Sequence, residues 1–413
     1  MLYLKDANLV DWKTLRAKRG HWAVTPDGPR AVRSVPRGSR ALDCEGRIAA
    51  RSFVVAHHHV YSALARGMPP PPRPPKDFVD ILKLVWWNLD KKLDRAMVGA
   101  CALAAAVEAL KSGVTFVIDH HASPNAVTGS LHIIAEAFDR AGLGHLLCYE
   151  LSDRDGPGPR QAGLDEQEAY LAKRQGLVGL HASFTVGDEL LRRAVALAER
   201  HGTGLHVHAA EAASDEEDCR REHRTSVLER FAAAGVLKSP RTILAHGVHL
   251  SAPERALLAR SKAWLAQNPE SNMNNAVGFL DAKGLPRVML GTDGLHADMP
   301  ASLKAAYFGS QGREGLTPAA ALARLRAAHE YLASNGFAGD GEDNLVVLDY
   351  APPTPVTAAN WPAHMVFGVS RADVRHVVAQ GRLVVKDRRT LTLDEERAMD
   401  YARGQAERLW RRL

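Results

Sequence analysis

Cysteine is scarce in these 413 residues: Cys44, Cys101, Cys148 and Cys219 lie far apart and form no C-x-x-C pair. That excludes a disulfide framework or a cysteine zinc site, and leaves free thiols suited to a reducing compartment. The amino terminus, MLYLKDANLVDW, has no basic patch leading into a long apolar run, so no signal peptide is expected. No apolar run approaches the roughly 20 residues that a membrane-spanning helix needs. Blocks of like charge are missing too: 53 basic residues stand against 47 acidic ones, and the net +6 is spread along the chain. So small and dispersed an excess does not by itself argue for nucleic acid. No internal sequence repeat is present, which excludes a solenoid. A cytoplasmic protein with neither a membrane nor a nucleic-acid partner is the expectation.

What is present is an ordinary globular balance, 46% hydrophobic and 24% charged, in a length that fits a large barrel plus a minor domain. The middle of the chain repeats one rhythm, a short apolar run ending in polar residues and then a helical stretch. The runs are FVVAHHH (53–59), GVTFVIDHH (113–121), LGHLLCYEL (143–151), GLVGLHASF (176–184), TGLHVHAAE (203–211), TILAHGVHL (242–250), KAWLAQNPESN (262–272) and PRVMLGTDG (286–294). Segments of helical spacing such as DELLRRAVALAERHG separate them. Eight strand–helix units in about 250 residues predict a distorted (β/α)8 TIM barrel, of α/β class.

The flanks differ. Residues 1–52 hold short β-like pieces with many Gly and Pro, and 343–390 resume strand character in DNLVVLDY and VRHVVAQGRLVV. They read as one small composite β-sandwich domain: 1–52 its first part, 53–342 the barrel, and 343–413 its second part with an amphipathic terminal helix. After the first barrel strand, MPPPPRPPKDF (68–78) leads into ILKLVWWNLDKKL. A proline-stiffened loop with the Trp86–Trp87 pair so placed either roofs a pocket or anchors a helix.

Ionisable residues gather at the carboxyl ends of the runs, which in a barrel surround the mouth. His57 and His59 share one face of the first strand while His58 points away. His206, His208 and Glu211 end another run, His246 a third and Asp293 a fourth. Any one of them could be an ordinary buried polar group, but chance rarely arranges the set. Imidazoles with a carboxylate suit zinc or a similar transition metal, and a catalytic site of that kind leaves a position for water. Glu211 is a carboxylate that could shuttle protons beside it.

AHHHVYSALARG, LHVHAAE, LAHGVHL and LGTDG resemble the H-x-H, H-x-x-E, His and Asp motifs of the amidohydrolase superfamily. The likeness is to its aminohydrolase branch of guanine, cytosine and S-adenosylhomocysteine deaminases and triazine hydrolases. WWNLDKKL, IDHHASPNA, CYELSDRDG, NPESNMNNAVG and DYAPPTP are similar to the SsnA aminohydrolases. The resemblance covers nearly the whole chain. It implies His57, His59, His208 and Asp293 as ligands of one divalent metal ion, zinc or alternatively iron. It implies Glu211 as proton shuttle, His246 as the group that orients or polarises water, and Asp293 as a catalytic residue besides a ligand. His181 falls where relatives place a substrate-contacting histidine. Relatives with two metals bridge them through a lysine at the end of the fourth strand; GLVGLHASF has none, so a mononuclear site follows. Glu150 and Arg154 of CYELSDR, with Trp87, join His181 as expected substrate-binding residues.

Some positions depart from the pattern. Arg51-Ser52 replace a Pro-Gly turn, His58 a small polar residue, Gln267 a frequent histidine, and His296 a small or polar residue after GTDG. None removes a ligand, but each could reshape the pocket. The implied function is hydrolytic deamination of a planar, purine- or pterin-like nitrogen heterocycle, a small-molecule substrate. The alternative keeps the mechanism but breaks another C–N bond, as in a cyclic amide, or a C–Cl bond. A barrel kept only for binding would be expected to lose ligands or the glutamate, and this one keeps them all. Zinc deaminases that edit nucleic acids carry a P-C-x-x-C signature, which is absent. A homo-oligomer is the expected assembly.

Overall fold

Short β-branched and apolar stretches punctuated by glycine turns build five strands ahead of the barrel: β1 (Leu2–Val10), β2 (Ala17–Thr25), β3 (Gly28–Val32), β4 (Arg40–Asp43) and β5 (Ile48–Arg51). The computed structural model describes residues 1–413. The β2–β3 hairpin turns at Pro26-Asp27, and Gly28, at φ 105°, takes the left-handed conformation that the turn requires.

Eight parallel strands follow, each inside one of the predicted runs: β6 (Phe53–His58), β7 (Val114–His121), β8 (Gly144–Tyr149), β9 (Val178–Leu180), β10 (Leu205–Ala209), β11 (Ile243–His246), β12 (Trp264–Gln267) and β13 (Val288–Leu290). β6, β7 and β8 pair in one group and β9 to β13 in another. Isolated bridges Leu147–Gly176 and Leu151–Leu180 join the groups at one seam, and His58–Asp293 closes the other, so the barrel is complete but distorted. Helices such as Arg95–Lys111, Ser130–Ala141, Asp188–Arg200 and Pro318–Ser334 follow strands and cover the outside.

Two faces of the strands feed two apolar clusters. Val55, Val117, Leu147, Val178, Val207, Leu244, Leu265 and Val288 pack outward with the helices. Val54, Ala56, Phe116, Ile118, Leu146, Ile243, Ala266 and Met289 meet inside the barrel, stoppered by Tyr331 and Phe337. That apolar plug leaves only the carboxyl ends of the strands open for polar chemistry.

The chain then returns to the first sheet with β14 (Leu345–Leu348), β15 (Val374–Ala379), β16 (Arg382–Lys386) and β17 (Arg389–Thr390). β14 lies antiparallel to β5, pairing Leu345 with Arg51 and Leu348 with Ile48. The β region assembled from both flanks is therefore one mixed sheet of nine strands. The terminal helix Glu395–Trp410 packs along the helix Arg95–Lys111, and Trp410 Nε1 donates to the Leu64 carbonyl at 2.9 Å. All four cysteines are free and buried. No helix is long and apolar enough to cross a membrane.

Candidate active site

Simple alternation does not bring His57 into the barrel. Val54 and Ala56 face inward, so the next inward residue on a regular strand would be His58. The ladder to β7 slips between Val55 and His58, a bulge that re-aims the end of the strand. His57 and His59 turn inward, and His58 instead hydrogen-bonds Thr292 Oγ1 at 3.0 Å. Unusual backbone places three further groups. His246 sits at φ 75°, Asp293 at φ 54°, and Ala210, just before Glu211, at φ 49°. Left-handed backbone at a residue other than glycine costs of order 1–3 kcal/mol and concentrates at functional sites.

The result is a convergence. Side-chain donor atoms of His57, His59, His208 and Asp293 all lie within 4.8 Å of one another. His59 Nε2 stands 3.0 Å from Asp293 Oδ1 and 3.2 Å from His208 Nε2. The outward nitrogens are already committed: His59 Nδ1 donates to the His120 carbonyl at 2.6 Å and His208 Nδ1 to the His181 carbonyl at 2.7 Å. A carbonyl can only accept, so each Nδ1 carries hydrogen and each Nε2 is left to face the centre. His57 Nε2 is buried with no hydrogen-bond partner. Burial holds His57 and His208 well below the usual histidine range, hence neutral. Burial also opposes charge on His59, but the hydrogen bond and charge of Asp293 outweigh it and push its pKa up to about 9. Three imidazole nitrogens and a carboxylate oxygen facing one point with so few protons among them fit a divalent transition metal, whose binding displaces protons from its ligands.

Glu211 and His246 complete the floor. His246 Nε2 lies 3.5 Å from Glu211 Oε2 and 4.0 Å from Asp293 Oδ2. Burial, and then the charge of Asp293, raises Glu211 well above the carboxylate range. Burial acts the same way on Asp293, but the two imidazoles beside it, His57 at 3.5 Å and His59 at 3.0 Å, hold it well below. Two carboxylates are thus driven to opposite states, one a proton carrier and one an anion. Burial lowers His246 to about 4, leaving it neutral.

Above the floor lies a cleft of about 580 Å³, its open mouth included. Tyr61, Glu150 and His181 line it together with the apolar side chains of Phe78, Leu82, Trp86, Trp87 and Leu295. The tryptophan pair and the end of the proline-rich loop therefore line the pocket. His181 Nδ1 lies 2.5 Å from Thr185 Oγ1, and burial lowers its pKa to about 4. Burial opposes charge on Glu150, yet His181, His120 and Arg154 keep it anionic. Arg154 does not line the cleft. It pairs with fully buried Asp90, stands 3.9 Å from Glu150, and lies 5.2 Å from the centre of the Trp87 ring, behind the wall.

Several neighbours escaped the sequence reading. His120, one residue from the end of β7, lies 3.3 Å from Glu150 through Nδ1. Its signal was the polar strand end IDHH. His206, singled out at its strand end but given no role, takes up His57 Nδ1 at 2.8 Å. Ser271, Asn272 and Asn275 reach Asp293, His246 and Glu211. The departures His58, Gln267 and His296 stay outside the lining: Gln267 pairs with Arg324 at 2.6 Å, and His296 with Glu270 at 3.0 Å.

Comparison with known proteins adds to this geometry. The model of the Amidohydrolase family matches residues 52–328. The chain is 29% identical over 412 residues to 5-methylthioadenosine/S-adenosylhomocysteine deaminase of Pelotomaculum thermopropionicum, covering 92% of this chain and 91% of that one. An adenosine deaminase from Xanthomonas campestris with bound zinc superposes with a TM-score of 0.83 at 20% identity, over 99% and 98% of the two chains. Atrazine chlorohydrolase from Arthrobacter aurescens, complexed with zinc, gives 0.80 at 17% identity, over 98% and 100%.

Proposed function

This chain belongs to the amidohydrolase family, and from that premise we propose that it is a metal-dependent hydrolytic deaminase of a planar nitrogen heterocycle, purine- or pterin-like. The observation that carries the reading is the convergence of His57, His59, His208 and Asp293 at a cleft, with Glu211 and His246 meeting Asp293 beside them. In this proposal those four residues would hold one divalent ion, zinc before iron, through three Nε2 atoms and Asp293 Oδ1. When bound, the ion supplies Lewis acidity that brings the pKa of water toward about 7.

The chain's own residues do the rest. Glu211 Oε2 takes a proton from the attacking water and passes it to the departing amine as the C–N bond breaks and ammonia leaves. His246, 3.5 Å from Glu211, orients the water, and Asp293, besides being a ligand, keeps a negative charge beside it. His181 and anionic Glu150 offer polar contacts to the ring edge, Trp87 a flat apolar face, and Arg154 holds Glu150 and Trp87 from behind. The name of the Pelotomaculum relative supports an aminopurine, and the stretches WWNLDKKL and NPESNMNNAVG support the SsnA aminohydrolases as the finer group. Four free, buried cysteines support a reducing compartment, the cytoplasm.

The test is a screen of purines, adenosine-type nucleosides, pterins and pyrimidines for ammonia release, run on metal-analysed protein. A second reading, displacement of chloride or opening of a cyclic amide by the same machinery, has the fold of the atrazine chlorohydrolase in its favour. Release of chloride without ammonia in a parallel triazine screen would select it.

A further inference from the structure

The segment after β12 reads Asn268-Pro-Glu-Ser271-Asn272-Met-Asn-Asn275, with a short helix over Pro269–Asn274. Residues 268, 271, 272 and 275 follow the i, i+3, i+4, i+7 spacing of one helix face. A face that packs inward is normally apolar. Here all four positions are polar and buried, while Met273 on the other side is 48% exposed. Burying polar side chains costs free energy unless they are hydrogen-bonded, so this inverted face points to a specific use.

Each of three side chains takes one atom of one site residue. Ser271 Oγ donates to Asp293 Oδ2, leaving Oδ1 toward His57 and His59. Asn275 Nδ2 donates to Glu211 Oε1 at 3.3 Å, leaving Oε2 toward His246. Asn272 Nδ2 donates to His246 Nδ1 at 2.8 Å; the Asn268 amide is farther from the ring, 3.4 Å from Nδ1 and 3.5 Å from Nε2. A ring nitrogen that accepts carries no hydrogen, so a hydrogen on the His246 ring sits on Nε2, the nitrogen facing Glu211 and Asp293.

We infer that residues 268–275 form a positioning element that selects which atom of Asp293, Glu211 and His246 faces the reaction, with Asn272 fixing His246 as an N–H donor at Nε2. On this assignment His246 cannot take a proton from water at Nε2; it can only donate a hydrogen bond, and base chemistry is left to Glu211 Oε2. The inference rests on the reading of these residues as the reacting groups, but its test reads a ring proton, not turnover. Absence of ammonia release would therefore sink the proposed function and leave this result standing.

The experiment uses the zinc-loaded full chain labelled with 15N-histidine. Two-bond 1H–15N spectra report which ring nitrogen is protonated, and His246→Asn identifies the His246 signals. The expected result is hydrogen on Nε2 and a bare Nδ1. Asn272→Asp puts an acceptor where the donor stood, so a proton should appear on Nδ1 with zinc content unchanged. Asn272→Leu should leave the ring exchanging between both forms. A wild-type His246 protonated at Nδ1, or an Nδ1 that stays bare in Asn272→Asp, overturns the inference. Should either variant fail to fold, the wild-type spectrum still decides.

Discussion

His57 Nδ1 lies 2.8 Å from His206 Nε2, both rings are fully buried, and His206 Nδ1 faces Cys148 Sγ at 3.8 Å. The pair sits behind the site, so His206 can act on a metal only by setting the ring of His57. When Nδ1 of His57 donates to His206, Nε2 presents its lone pair to the centre. Partners of this kind are worth about 10–100-fold in metal affinity. His206→Leu should therefore weaken zinc binding by roughly that factor, read by competition with a chromogenic chelator. Affinity equal to wild type would leave His206 as a packing residue.

Metal content is the second expectation. With His57, His59, His208 and Asp293 on a single point, purified protein should carry about one transition metal per chain by elemental analysis. Replacing His57 and His59 together by alanine should remove it. Two metals per chain, or none after reconstitution, would count against the site as drawn.

Gly291 offers a test of packing. A Cβ built there would come within 2.3 Å of Asn268 Oδ1 and 2.9 Å of the Cβ and carbonyl oxygen of His57. Two of these atoms belong to the proposed ligand His57 itself and the third to Asn268, both fully buried. Gly291→Ala should lower stability by about 1–3 kcal/mol, the usual range for overpacking, measured by denaturant unfolding. A loss near zero would mean the barrel rim yields there.

The eight barrel strands were legible because each is a short apolar run between helical segments, and the fold imposes that rhythm. Strand-end polarity also marked His57, His59, His208, Glu211, His246 and Asp293. The way His57 enters was not legible, since a bulge in β6 overrides alternation and leaves no trace in the sequence. The left-handed backbone at His246 and Asp293 is likewise a product of closure, not of propensity. No role for Asn268, Ser271, Asn272 and Asn275 was legible, because a buried polar helix face imitates an exposed one. Arg154 was expected on the cleft wall, but its partner Asp90 draws it behind Trp87, and no local pattern announces a pairing across 64 residues.

His181 separates binding from metal support. Its backbone carbonyl holds His208 Nδ1, while its side chain lines the cleft. His181→Ala keeps the carbonyl and removes the ring. With a substrate from the ammonia screen, KM should rise more than kcat falls, at unchanged zinc content. An unchanged KM would take the ring out of the substrate contacts.

Glu211 tests the chemistry itself. It is three residues beyond His208, its Oε1 is tied to Asn275, and burial with the neighbouring Asp293 raises its pKa above the carboxylate range. As the proton shuttle it should contribute roughly 10²–10⁴-fold to turnover. Glu211→Gln keeps the size and an oxygen near Asn275 but cannot pick up and release the proton. Folding and zinc content should match wild type, with kcat reduced by at least that order. Loss of zinc would make Glu211 a ligand. Near-full activity would move the shuttle elsewhere, and His246 would be the next residue to examine, in direct conflict with an Nε2 that already carries its hydrogen.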